Sequence, residues 1–314
     1  MDSRGKRDAA VAAMFVAVLV ISAFWGQHDR KQLAAGDRAV IRETETPGAQ
    51  TGEDTKSREG AQEGNIARAG EDRREGESAP AGLTGQQDGS LPDVPQLDEE
   101  QGTALREIME DLKGNKMEEA ARAMKREEDM LWSLYYETME GDRYLFDGTG
   151  LQPALDGEGL VLTKAGTAYY GTFKDGKPEG KCTAIQVVDM DAPRYDYSQG
   201  IWKNGMMEGD GRTGYCYYEE SPEGEARDIC RTGTFSEDLL EGEVLYTSMN
   251  DMDGTSTWKV TVDEGIIQLD ERWTPVGNGD EFQLMSEDND SHGYVVGKEQ
   301  IDQVMWRNLL VWIE

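Results

Sequence analysis

The sequence predicts a mainly β protein made of consecutive antiparallel hairpins, with helices before them and a short one at the end. Three stretches written in one frame carry this prediction. Residues 169–182 read YYGTFKDGKPEGKC, 198–211 read SQGIWKNGMMEGDG, and 231–244 read RTGTFSEDLLEGEV. Gly171, Phe173, Gly176 and Gly180 superimpose on Gly200, Trp202, Gly205 and Gly209. The third copy keeps Gly233, Phe235 and Gly242, with Asp238 in the place of the turn glycine. An aromatic two positions after a glycine has strand periodicity, and the glycines beyond it give the backbone freedom a tight reversal needs. Gly209 and Gly211 fall in the returning strand, where an absent side chain leaves room for a ring. A valine at Gly211 is therefore expected to overpack, at roughly 1–3 kcal/mol.

The frame YxGxFxxGxxxGxG resembles the MORN repeat. That resemblance implies an elongated antiparallel β-meander of hairpins across 141–297, and a scaffold in place of a catalyst. Departures at Cys182 and Val244, which replace the second glycine, and at Ser198 and Arg231, which replace the opening tyrosine, disturb uniform packing more than architecture.

Composition narrows the partners. The 314 residues carry a formal net charge of −31, which opposes binding to nucleic acid phosphates and to anionic lipid through the body of the protein. Residues 1–8 hold Arg4, Lys6 and Arg7 and read as a short basic cytoplasmic tail. The run from Ala9 to Trp25 has no charge and spans roughly 25 Å as a helix, against a ~30 Å hydrocarbon core. We read 9–26 as a single-pass transmembrane helix, with a cleaved signal peptide ending near Ala23 as the competing reading. Either way the remainder is expected to be extracytoplasmic, in a bacterial-type surface protein. Residues 27–98 are acidic and almost without aromatic or branched side chains, so they predict a disordered linker. A coil of that length spans about 45–50 Å.

Residues 99–140 predict a helical hairpin. Leu105, Ile108, Met109 and Leu112 share one helix face, Gly114 closes it, and Asn115 with Glu118 reads as the N-cap and capping box of the next helix. Its apolar stripe (Met117, Ala120, Ala121, Met124, Leu131, Leu134, Tyr135) packs either on the first strands or on a partner. Beyond Gly141, Gly157–Gly159 ahead of Leu160 forms a degenerate unit. Trp258, Val260 and Val262 run to a turn at Glu264–Gly265, and 283–285 and 294–296 predict closing strands. Ile301, Val304, Met305, Leu309 and Trp312 have helical spacing, predicting a helix over 298–314 that caps the sheet edge.

The sequence offers no catalytic, cofactor or metal site. Its two histidines, His28 and His292, are far apart, and no phosphate-binding glycine loop occurs. Glu179, Glu208 and Glu241, each just before the returning strand's glycine, form either a solvated acidic row or a weak cation site. Asn250–Gly254 lacks the ligands of a calcium loop. Phe173, Trp202, Phe235, Tyr215 and Tyr217 share a sheet face, either as core or as a cell-wall glycan platform. A protein partner, of a scaffold, is the expectation; glycan is the alternative. Cys216 and Cys230 share the opposite face, and a reversal at Glu223–Gly224 would set them facing each other as a disulfide, or as two unpaired small residues. Cys182 is expected to stay a free, packed thiol.

Overall fold

The computed structural model describes residues 94–313 except 190–191, 223–224 and 251–253, together with the backbone of Arg42–Glu43. The chain divides into two units, Met1–Thr44 with Val94–Glu314 and Glu45–Asp93. The expected anchor at 9–26 and nearly all of the 27–98 linker lie outside the described residues. Among the described residues no helix is long and apolar enough to cross a membrane.

Order begins earlier than Glu99: Val94 and Leu97 already pack against buried side chains. Helix α1 (Glu99–Lys113) starts at Asp98, whose carboxylate accepts from Gln101 N at 2.8 Å while Gln101 Oε1 accepts from Asp98 N. Gly114 closes it. Asn115 does not cap α2 (Met117–Arg126) as the spacing suggested. It takes the left-handed position after α1 (φ 57°), its Oδ1 accepts from Gln199 and Arg212, and Lys116 precedes α2 with no side-chain cap. Helix α3 (Glu128–Ser133) runs into a π-helical turn at Leu134–Thr138.

Fourteen strands follow the two-residue β1 (Arg42–Glu43): β2 (Leu145–Phe146), β3 (Leu151–Gln152), β4 (Gly157–Leu162), β5 (Thr167–Lys174), β6 (Lys177–Asp189), β7 (Pro193–Lys203), β8 (Met206–Tyr217), β9 (Asp228–Ser236), β10 (Leu239–Asn250), β11 (Gly254–Asp263), β12 (Ile266–Gln268), β13 (Thr274–Val276), β14 (Glu281–Met285) and β15 (His292–Gly297). Eleven form one sheet in the order β12-β11-β10-β9-β8-β7-β6-β5-β4-β2-β3, each neighbour antiparallel, which is a mainly antiparallel meander. The closing strands form a second sheet, β1-β15-β14-β13.

The hairpins repeat one geometry. Both turn residues have positive φ at Asp175–Gly176, Asn204–Gly205, Glu237–Asp238 and Glu264–Gly265, the conformation of a type I′ reversal. The second glycine then makes a bulge. Glu208, Gly209 and Asp210 stand against Ile201 alone, and Gly180, Gly209 and Gly242 are left-handed (φ 76°, 103° and 73°). These glycines therefore serve the backbone and make no room for a ring. A Cβ at Gly242 would meet nothing within 4 Å, so Gly242→Ala should cost only the left-handed penalty of about 1–2 kcal/mol, read from a denaturation midpoint.

Both faces of the large sheet carry a core. Helices α1 and α2 cover the face of Leu160, Leu162, Ala168, Ile185, Tyr195 and Tyr197, so their apolar stripe packs on the first strands. The opposite face holds Tyr169, Phe173, Trp202, Tyr215, Tyr217 and Phe235, all buried, with the smaller sheet seated on it through Leu284, Tyr294 and Val296.

The predicted helix over 298–314 is absent. A single 3₁₀ turn at Lys298–Gln300 leads into an extended segment. Trp306, Asn308, Leu310 and Trp312 are buried while Arg307, Val311 and Ile313 are exposed, a period of two. The chain is extended because its backbone groups bond to the sheet instead of to each other. It crosses the ringed face without capping an edge.

Candidate functional site: the ringed face and the strap across it

The C-terminal segment crosses the hairpins in turn. Met305 N and Trp306 N donate to Gly265 O, and Leu240 N donates to Trp306 O at 3.0 Å. Asn308 N donates to Asp238 O at 2.7 Å, while Asn308 Nδ2 donates to Asp238 Oδ1 at 2.7 Å. Leu309 N reaches Thr213 Oγ1, Leu310 N reaches Ser198 Oγ, and Leu310 O accepts from the Tyr169 hydroxyl at 3.1 Å. Trp312 packs edge-on to Tyr169 at 4.9 Å, with the Arg143 guanidinium 4.7 Å above it.

Asp238 explains why the third turn lacks its glycine. Its carboxylate also accepts from Met207 N at 2.8 Å, tying the turn to the preceding hairpin. Burial raises its pKa, and the bonds from Met207 and Asn308 work against that rise. A glycine would relieve the positive φ (69°) but would remove both anchors.

The glycines in contact with neighbours behave differently from the bulge glycines. A Cβ at Gly211 would fall 2.5 Å from Met207 Cε, and one at Gly200 2.7 Å from Gly211 Cα. The cost of Gly211→Val therefore arises against a buried methionine and a facing strand, in place of the ring we expected.

The acidic row has a structural role. Glu179 Oε2 accepts from Asn204 N at 3.0 Å, Glu208 Oε2 from Glu237 N at 3.1 Å, and Glu241 Oε1 from Glu264 N at 2.9 Å. Asp156 does the same for Asp175 N. Each carboxylate holds the first residue of the next hairpin's turn, whose N–H has no partner within its own two-residue reversal. Glu208→Ala should therefore lower stability by about 1 kcal/mol, checked by urea denaturation; no loss would make the row a solvated surface. Among the described residues no group of three or more His, Cys, Asp or Glu could hold a metal ion.

Cys182, Cys216 and Cys230 are free thiols, so of the two readings of the Cys216–Cys230 pair the disulfide is corrected and the unpaired one stands. Both do lie on the helix-side face, but the register places Cys216 opposite Asp228 and Gly214 opposite Cys230. That register, in which Gly211 faces Gly233, leaves the cysteines diagonal, about 7–8 Å apart in such an arrangement and too far for a bridge. Burial pushes the Cys216 thiol up to about 11, so it is a packed, protonated group and a poor nucleophile.

Other polar groups are structural as well. Arg194 pairs with Asp196 at 3.1 Å beneath Tyr215, and Arg231 is buried over the Trp306 ring at 5.1 Å. His292 Nδ1 meets Ser256 Oγ at 2.6 Å at the contact between the two sheets. A cleft on the helices is lined by Glu99, Glu100, Thr103, Ala104, Glu107 and Glu127, acidic and open. The rings proposed as a glycan platform are already covered, Trp202 and Phe235 at 1% exposure each, so that alternative is not favoured.

Sequence reasoning found the frame glycines and rings. It missed Asp238, Asn308, Ser198 and Thr213 as strap anchors; period-two burial from Trp306 to Trp312 was the signal available.

No curated protein matches the chain. The family model of the MORN repeat matches residues 169–185 and 199–215. It does not extend to 231–244, where Glu237–Asp238 replaces the turn glycine although the hairpin geometry is the same. MORN repeats are generally non-catalytic and typically act as protein-interaction or scaffold modules. The chain thus carries MORN repeats, two of them within residues 169–215.

Proposed function

We propose that this protein is a non-enzymatic, membrane-anchored scaffold whose β-meander and helices hold a protein partner outside the cytoplasm. The observation that carries the scaffold reading is the consumption of polar and aromatic groups by structure. The turn carboxylates hold neighbouring turns, and the rings and the buried Asp238 hold the strap, so the meander is a rigid body with its surface left for contacts. The anchor rests on the uncharged run Ala9–Trp25 alone.

Two measurements test this. The full chain should stay with membranes after a carbonate wash; a soluble mature form beginning near Ala23 would replace the anchor by a signal peptide. Chemical cross-linking in intact cells, followed by purification of the full chain, should give discrete heavier species of fixed composition. Recovery only as an uncrosslinked monomer would sink the scaffold reading.

A further inference from the structure

We propose that Trp132 and Tyr136 form a docking surface for a partner segment carrying lysine or arginine among apolar residues; this rests on the interaction reading above. Helix α3 contains no fully buried residue, although Met130, Leu131 and Trp132 lie in it. A helix of this length is stabilised by the face it buries, and this one leaves its largest side chain out. Trp132 is 51% exposed, whereas Trp202, Trp258, Trp273, Trp306 and Trp312 are buried.

The exposed ring is also held in place. It lies 4.9 Å from the ring of Tyr136, four residues on, and the Tyr136 hydroxyl donates to Lys164 O at 3.2 Å. Tyr136 in turn rests edge-on against Tyr135, which is buried. A fixed pair of an exposed Trp and a half-buried Tyr loses little side-chain freedom on binding, which is why such pairs anchor interfaces.

Charge selects the partner. Glu128 and Asp129 precede Trp132 by four and three residues on the same helix face, and Glu137, Glu140 and Asp142 follow, all exposed. The nearby bases are Lys125, which pairs with Glu128 at 2.6 Å, Arg126, which pairs with Glu107 and Glu127, Lys164, and Arg143, whose guanidinium lies over the Trp312 ring. The acidic cleft that includes Glu127 lies at the start of α3. A second copy of a chain of net charge −31 and an anionic lipid surface are both repelled, while a basic segment gains carboxylates for its charges and ring faces for cation–π contact.

The test is calorimetric titration of the full chain with an amphipathic leucine/lysine peptide, a leucine/glutamate control and phosphatidylcholine vesicles. The leucine/lysine peptide should bind and the control should not. Trp132→Ala and Tyr136→Ala should each weaken binding at least tenfold, with the difference persisting at 0.3 M salt (about 6 Å of screening) and the melting curve of Trp132→Ala unchanged. Equal affinity in Trp132→Ala would mean attraction by diffuse charge and would overturn the proposal. Trp132-dependent binding to vesicles and not to the peptide would overturn it in favour of a membrane surface. Cross-linked species that persist unchanged in Trp132→Ala cells would remove this surface while leaving the scaffold intact.

Discussion

Gly214→Ala is expected to destabilise the protein by at least about 3 kcal/mol, the upper end of overpacking costs. A Cβ at this position would sit 2.0 Å from Ile229 O and 3.0 Å from Ile229 C. Both atoms belong to the backbone of β9, which pairs with β8 from Gly209–Phe235 to Cys216–Asp228. The Tyr197 hydroxyl, also 3.0 Å away, closes the remaining side. A flexible side chain could turn aside, as Met207 can for Gly211, but a laddered strand cannot. The methyl group must therefore separate β8 from β9 near the end of β8 at Tyr217. Urea denaturation of wild type and variant measures the cost, and hydrogen exchange at 212–217 and 228–232 should show where the strands open. A wild-type midpoint would mean that Gly214 does not face Cys230. The register argument against the disulfide would then fail with it.

How much of this was legible follows the sequence distance of each contact. The hairpins were readable because a type I′ turn, its bulge and the ring two residues from a glycine are all fixed within about fourteen residues. The Asp–Gly, Asn–Gly and Glu–Gly pairs at 175, 204 and 264 are turn signals in themselves. Elements that close on distant partners were misread. Asn115 looks like a helix cap, yet its side chain is taken by Gln199 and Arg212 on the sheet. The tail looks helical from Ile301, Val304 and Met305, yet its conformation is decided by Asp238, Thr213 and Ser198, 70 to 112 residues away. Cys216 and Cys230 were assigned the correct face by alternation but the wrong register, because parity fixes a face and leaves a two-residue slip undetermined. The close approach of Gly214 to the Ile229 backbone, 2.0 Å for an added Cβ, goes with the observed register, and it is a property of paired backbones which no single strand displays.

Trp306→Ala should cost about 3–5 kcal/mol and release the strap from the ringed face. The indole is fully buried, with Tyr246 at 5.6 Å and Tyr294 at 6.1 Å, so its removal opens a cavity between the two sheets. The Arg231 guanidinium loses the ring it lies over, and burial already lowers the pKa of that arginine by penalising its charge. A cavity beside a buried cation is worse than a cavity among leucines, because the charge loses a polarisable neighbour it cannot replace with water at no cost. The bonds of residue 306 to Gly265 and Leu240 involve backbone atoms only, but they form where the buried ring seats the segment. Their loosening should pass along the segment to Asn308 and Leu310. Val311→Ala, on an exposed side chain of the same segment, should stay within about 0.5 kcal/mol of wild type and serves as the control. Guanidinium titrations of the two variants give the comparison, and hydrogen exchange over 305–313 separates a released strap from a globally weakened sheet. A loss below about 1 kcal/mol for Trp306→Ala would mean that the segment is not seated on the rings. The glycan reading of that face would then have to be reopened.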